Sequence, residues 1–168
     1  MRTSIGLLVA LLTLVGCGTQ TSPGTDAEGG QVEGTGKTAD LAFTGTTLAG
    51  DEFEGSSLEG KPAVLWFWAP WCPTCRSQIP TVSGLGEEYD DEVAVVGVGS
   101  LDSQGEIEEL AERIPHVTHL VDDEGTVWKH FRVTAQSTYT VIDADGEIVH
   151  EGYLDNGELE DLVARLAG

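Results

Sequence analysis

The stretch Ala63-Val64-Leu65-Trp66-Phe67-Trp68-Ala69-Pro70-Trp71-Cys72-Pro73-Thr74-Cys75 decides how this chain folds. Ala63–Trp68 is apolar without interruption, which implies a strand buried on both faces, as in the middle of a helix-covered sheet. After the break at Pro70, the cysteines stand at i and i+3. On the first turn of a helix that spacing holds two thiols close enough to pass between dithiol and disulfide with little backbone movement. Cys72 falls at the helix N-terminus, where unpaired N–H groups and the macrodipole stabilise an anion. Such a position is one established way of bringing a thiol pKa down to roughly 3.5–7.5. Pro73 suits an early helical position, because its missing N–H has no helical partner there anyway. Thr74 shares that turn, and Arg76 adds a nearby cation. These three are the candidate tuners of the thiol, and Cys75, one turn deeper, is the candidate resolving thiol.

Working outward, Val93–Val98 reads as a second buried strand, and Cys72–Tyr89 between the two is long enough for a crossover helix. Pro80 inside it removes one backbone hydrogen bond and should kink it. Ser103-x-x-Glu106 is placed to cap a helix whose apolar positions Ile107, Leu110, Ala111 and Ile114 share one face. His119–Val121 reads as a short strand and Thr126–Phe131 as a short helix. Tyr139–Asp143 and Glu147–Glu151 flank Asp145-Gly146, a strong hairpin signal. Leu159, Leu162, Val163 and Leu166, after Asp155-x-x-Glu158, form a capped amphipathic helix. Upstream, Leu41–Phe43 and Thr46–Leu48 suggest a small hairpin turning at Gly45. Ser56-x-x-Glu59 has capping-box spacing, closed by Gly60. The alternation predicts an α/β fold: a mixed sheet with helices on both faces, an N-terminal β-hairpin and an inserted helix at Ser103–Ile114.

The chain has 168 residues, enough for one compact domain with extensions. Residues 1–16 have a basic start at Arg2 and an apolar run, Ile5–Val15, too short to span a bilayer. That run ends Leu14-Val15-Gly16-Cys17, which resembles the bacterial lipoprotein signal; the resemblance implies that Cys17 carries diacylglycerol and becomes the mature N-terminus. Residues 17–40 are then the lipidated cysteine and a linker rich in Gly, Thr and acids, unable to bury enough apolar surface to fold. The folded domain is expected to occupy residues 41–168. With 8 Lys+Arg against 29 Asp+Glu, the formal net charge is -21, which argues against nucleic-acid binding and against docking on anionic lipid through a polybasic patch. The three cysteines divide into Cys17 for an anchor and Cys72 and Cys75 as a redox pair, with no structural staple.

Residues 41–168 resemble the thioredoxin superfamily, specifically the exported branch of TlpA, ResA and DsbE-like lipoproteins. The resemblance is carried by Gly60-Lys61-Pro62 before the strand, Phe-Trp-Ala-x-Trp-Cys-x-x-Cys at 67–75, Pro80, the helix at Ser103–Ile114 and Val-Ile-Asp-Ala-Asp-Gly at 141–146. It implies a thioredoxin-like fold, Cys72 as exposed nucleophile, Cys75 as resolver, Trp71 in the docking surface, and no cofactor beyond the redox-active disulfide. It also implies a place outside the cytoplasmic membrane, secreted or extracytoplasmic protein thiols as clients, and a membrane redox partner. A monomer is expected.

Three positions depart from the family. Where a cis-proline faces the disulfide in a Val-Thr-x-x-Pro-Thr context, this chain has Val133-Thr134-Ala135-Gln136-Ser137-Thr138. A cis bond before a non-proline residue costs roughly 2.5–4 kcal/mol, so Gln136–Ser137 is expected to be trans. Its backbone would still offer strand-like hydrogen bonds to an extended substrate, making Gln136 and Ser137 candidate substrate-binding residues. Trp66 stands where thioredoxins bury an Asp, and Gln78 where ResA-like proteins carry a Glu. Losing a buried carboxylate makes nearby thiolate easier to form, and a more stable reduced form is a stronger oxidant. That favours an oxidase of secreted proteins over a reductase serving cytochrome c maturation.

Three other readings compete. The pair could be half of a zinc site completed by His116 and His119, but the separation from the cysteines fits no finger-like spacing. It could be a structural disulfide in a non-enzymatic binding lipoprotein. In a peroxiredoxin alignment of Pro70 and Thr74, the peroxidatic position falls on Ser77, which lacks the thiol.

Overall fold

The computed structural model describes residues 34–168. The expected N-terminal signal, the candidate lipid site Cys17 and most of the expected linker lie outside the described residues. The elements follow in the order β1 Lys37–Thr38, β2 Thr44–Thr46, β3 Glu52–Glu54, a 3₁₀ turn Gly55–Leu58, β4 Ala63–Trp68, α1 Pro73–Glu88, β5 Ala94–Gly99, α2 Gln104–Ala111, β6 Thr118–Val121, α3 Thr126–His130, β7 Thr138–Ile142, β8 Glu147–Gly152 and α4 Asn156–Ala167.

The central sheet runs β1-β8-β7-β4-β5-β6. β4 pairs parallel with β5 and antiparallel with β7, so every residue of Ala63–Trp68 is buried between neighbours and under both covering layers. Alternation along β4 divides the core. Val64, Trp66 and Trp68 point to one face, with Val82 and Leu85 of α1, Ile107 and Leu110 of α2, and Leu159, Leu162 and Val163 of α4. Leu65 and Phe67 point to the other, with Phe43, Leu58 and the α3 residues Val127 and Trp128. The Trp66 and Trp68 rings stack with centroids 5.5 Å apart. Trp68 fits because Gly99 lies opposite it on β5; a Cβ at Gly99 would stand 2.8 Å from the Trp68 ring.

Local capping signals reappear as hydrogen bonds. In α4 the Asp155 carboxylate accepts from the Glu158 amide and the Glu158 carboxylate from the Asp155 amide, both at 2.9 Å. Ser103 caps α2. α1 runs continuously through Pro80.

The N-terminal part departs from the sequence expectations in three ways. The chain joins the sheet before Leu41: Lys37 and Thr38 pair with Ile148 and Glu147, so the end of the expected linker forms an edge strand on β8. Edge pairing needs backbone groups rather than apolar side chains, so a polar segment can supply it. The hairpin is shifted. Gly45 lies inside β2, paired with Phe53 of β3, and the chain turns at Thr47–Gly50, where the Gly50 amide donates to the Thr47 carbonyl at 3.0 Å. Finally, Ser56 and Glu59 make no capping box; the 3₁₀ turn starts at Glu54 without a side-chain cap.

Candidate functional site

β4 ends at Trp68, and the turn Ala69–Trp71 delivers Cys72 to the N-cap of α1, with Pro73 at the first helical position. The Cys72 sulfur accepts the Cys75 amide at 3.2 Å. Both cysteines are free thiols. Burial works against ionising Cys72, but hydrogen bonds from the Cys75 and Ser137 side chains and the Cys75 and Thr74 amides outweigh it, so its pKa lies below the ordinary thiol value. Cys75 goes the other way: burial first, and then its side-chain hydrogen bond with Cys72, push its thiol up to about 11. The helix terminus thus holds two chemically unequal thiols.

The loop before β7 closes over them. Ser137 Oγ lies 3.0 Å from the Cys72 sulfur and 3.1 Å from the Cys75 sulfur. Gln136–Ser137 is trans, as no cis peptide bond occurs among the described residues. Ser137 adopts a left-handed φ of 65°. That conformation costs a non-glycine residue about 1–2 kcal/mol and is held from both sides. The Ser137 amide donates to the Phe67 carbonyl at 2.8 Å, and Gln78 Nε2 donates to the Ser137 carbonyl at 3.2 Å. Gln78 is itself positioned by the Trp66 indole, which donates to its Oε1 at 2.9 Å.

Several expectations change. Cys72 is not an exposed nucleophile: with Ser137 packed on its sulfur, it is 3 % exposed. Arg76 gives both Nε and Nη2 to the Pro70 carbonyl, at 3.0 and 2.8 Å, so its guanidinium braces the turn before Cys72. Gln136 is half-buried beside Ser137. Trp71 is exposed, and its indole donates to the Leu101 carbonyl at 3.1 Å. Leu101, itself exposed and at a φ of 61°, is thereby tied to Trp71 through its backbone. The sequence reading passed over Leu101; the available signal was a lone large apolar residue in the polar run Ser100–Ser103. It also passed over Tyr139, a core strand residue whose buried phenol has no hydrogen-bond partner and whose pKa is raised by burial and by the nearby Cys75.

His116 is exposed, whereas His119 is buried edge-on against Trp68. No cluster of metal-ligating side chains occurs among the described residues. Ser77 is exposed and donates to the Thr74 carbonyl at 2.7 Å. No helix among the described residues is long and apolar enough to cross a membrane.

Comparison with known proteins agrees with this geometry. The profile of the AhpC/TSA family matches residues 36–151. The soluble secreted antigen MPT53 of Mycobacterium tuberculosis is 38% identical over 107 residues, covering 63% of this chain. The chain spans 61% of that relative's length. The thioredoxin-like protein YneN of Bacillus subtilis is 28% identical over 70% of this chain and 72% of its own. Among solved structures, DsbF of Mycobacterium tuberculosis, in mixed oxidised and reduced forms, superposes with a TM-score of 0.69 at 43% identity, covering 75% of this chain and 96% of its own. A secreted Mycobacterium tuberculosis disulfide oxidoreductase homologous to DsbE of E. coli gives 0.68 at 35% identity, covering 76% of this chain and 100% of its own.

Proposed function

The chain belongs to the thioredoxin-like AhpC/TSA family, and from that premise we propose that it is an extracytoplasmic thiol–disulfide oxidoreductase working through Cys72 and Cys75. The observation that carries the reading is the inequality of the two thiols: one lowered at a helix N-cap, the other raised behind it. A structural disulfide has no use for that inequality, whereas exchange needs one sulfur that ionises and one that waits. Resemblance to secreted relatives supports a location outside the cytoplasmic membrane, and Cys17 is the proposed lipid anchor.

In the reducing direction, the Cys72 thiolate attacks a client disulfide and Cys75 then resolves the mixed disulfide. In the oxidising direction, a client thiolate attacks Cys72 of the Cys72–Cys75 disulfide, and a second client thiol displaces the enzyme. Hydrogen bonds to the Cys72 sulfur stabilise the reduced form, which makes the disulfide a better oxidant. We therefore favour oxidation of secreted protein thiols, with a membrane redox partner restoring the disulfide. Trp71 and Leu101 supply the apolar ground on which a client rests, and the protein acts as a monomer. A peroxidase reading, which the family's membership admits, finds only the Ser77 hydroxyl at the peroxidatic position.

Equilibration of the soluble domain with glutathione buffers tests the direction. A potential above the roughly −270 mV of thioredoxin is expected. A value at or below it would overturn the oxidase direction and leave a reductase, while a pair inert to glutathione would leave a structural bond.

A further inference from the structure

We propose that the Ser137 hydroxyl carries the proton in the exchange reaction, accepting from one sulfur while donating to the other partner as the Cys72–Cys75 bond forms or opens. The inference rests on the reading above that these cysteines are the reacting pair.

Each passage of Cys75 between thiol and disulfide moves one proton. Cys75 holds that proton tightly, with its pKa pushed up to about 11. In the dithiol at neutral pH only about one molecule in 10⁴ would carry the Cys75 thiolate unaided, and burial, the largest cause, persists when Cys72 is held in the mixed disulfide. A base or relay must therefore act beside the sulfur, and the surroundings offer few groups. Trp66 and Gln78 stand where related proteins keep carboxylates, and they are spent on each other and on the Ser137 carbonyl. From β7 the titratable neighbour is the Tyr139 phenol, whose hydroxyl makes no hydrogen bond and so engages neither sulfur. α4 presents Leu159, Leu162 and Val163 to this part of the core, all apolar. From α1 the titratable neighbour is Cys72 itself.

Ser137 remains. Its Oγ lies within 3.1 Å of both sulfurs. A hydroxyl has one proton to give and two lone pairs, so it can accept from one sulfur and donate to another at once. Its aim is fixed by the backbone: the amide is tied to Phe67 and the carbonyl to Gln78. A proline at this point could close the loop but has no proton to pass.

The step balances without an outside acid or base. In resolution, a Cys75 electron pair attacks the Cys72 sulfur of the mixed disulfide. The bond from Cys72 to the client sulfur breaks, and its pair leaves with the client. The Cys75 proton goes to Ser137 Oγ, the hydroxyl's own proton goes to the departing client sulfur, and Ser137 ends as it began. The cysteine pair is oxidised by two electrons and the client disulfide is reduced by two. The oxidising direction is the same path reversed, so the relay serves either direction. The client sulfur leaves in line with the Cys75–Cys72 axis, on the side of Cys72 away from Cys75, so the hydroxyl's proton crosses to it through a bridging water.

The test is Ser137→Gly, which removes the hydroxyl and suits the left-handed backbone, with circular dichroism and a denaturation midpoint to verify folding. Reduced protein is mixed rapidly with saturating oxidised glutathione or with an aromatic disulfide, and acid-quenched samples are weighed to separate mixed-disulfide formation from resolution. With glutathione at pH 7, resolution in the variant is expected to slow about 100-fold, the scale of general acid–base catalysis. It should then speed up about tenfold per pH unit towards the Cys75 pKa. With the aromatic thiol, which leaves without a proton, the slowing should be several-fold smaller. Equal slowing with both thiols, or none with either, overturns the relay. The underlying reading fails separately, and visibly, if the unsubstituted protein forms no mixed disulfide at Cys72.

Discussion

The Gln78 side-chain amide donates to the Ser137 carbonyl at 3.2 Å while its oxygen accepts from the Trp66 indole at 2.9 Å. One buried side chain thus joins the central strand to the loop that lies over the thiols. Its two ends are chemically distinct, one donor and one acceptor, and both are used.

Replacing Gln78 should therefore cost more than its packing. In Gln78→Leu the indole N–H and the Ser137 carbonyl lose their partner, at about 1–3 kcal/mol for each buried group stranded. Gln78→Glu keeps the shape but faces the carbonyl with a carboxyl that can donate only when protonated. Its folded pKa should rise above the ordinary value, roughly 4.3, so the stability deficit grows as the pH climbs past that value and levels off once the folded pKa is passed. Urea midpoints measured at pH 4 and pH 8 check both variants; a Gln78→Glu deficit that does not change with pH would count against this contact.

His119 supplies a pH dependence of the opposite sign. Burial against Trp68 lowers its pKa to about 4, against the upward pull of its hydrogen bond with the Ile114 carbonyl. The folded state therefore holds it neutral while the unfolded chain protonates near pH 6.5. Its contribution is fully present above the unfolded pKa and is lost as pH falls from about 6.5 towards 4, amounting to roughly 2–4 kcal/mol. Denaturation across pH 4–7 should show that slope, and His119→Phe should flatten it.

Gly86 is where α1 meets the loop before β6. A Cβ there would stand 1.8 Å from the His116 carbonyl oxygen, and that oxygen belongs to the backbone. Helix propensity alone would make Gly86→Ala stabilising by about 1 kcal/mol. The collision should reverse the sign, with a net loss of about 1–3 kcal/mol as α1 or the loop shifts. Gly84→Ala is the control, because its Cβ meets nothing within 4 Å. Thermal midpoints of the two variants should move in opposite directions.

Where a single local signal sufficed, the sequence was legible. The run Ala63–Trp68 declared a central strand, Asp155 and Glu158 declared a helix start, and Cys72-Pro73 placed a thiol on a helix N-cap. The same kind of reading failed at Gly45 and Arg76, where the residue type allowed the expected role but another contact claimed it, and at Ser56, where the 3₁₀ turn starts without a side-chain cap. Gly45 packs under Leu120, and Arg76 turns back to Pro70.

By itself, then, the sequence determined the α/β pattern, the pair Cys72 and Cys75 and the absence of a carboxylate at Trp66 and Gln78, because each follows from residue identity or spacing within one element. Only the tertiary structure decided what stands over the thiols. Ser137 reaches Cys72 across 65 positions of sequence, and Lys37 pairs with Ile148 at the opposite end of the chain. Such contacts are set by strand order and by how far each loop reaches, for which no short stretch of residues carries a code. They also settled that Cys72 is covered and that the two thiols ionise unequally, since burial and hydrogen bonding exist only once the chain has closed around them.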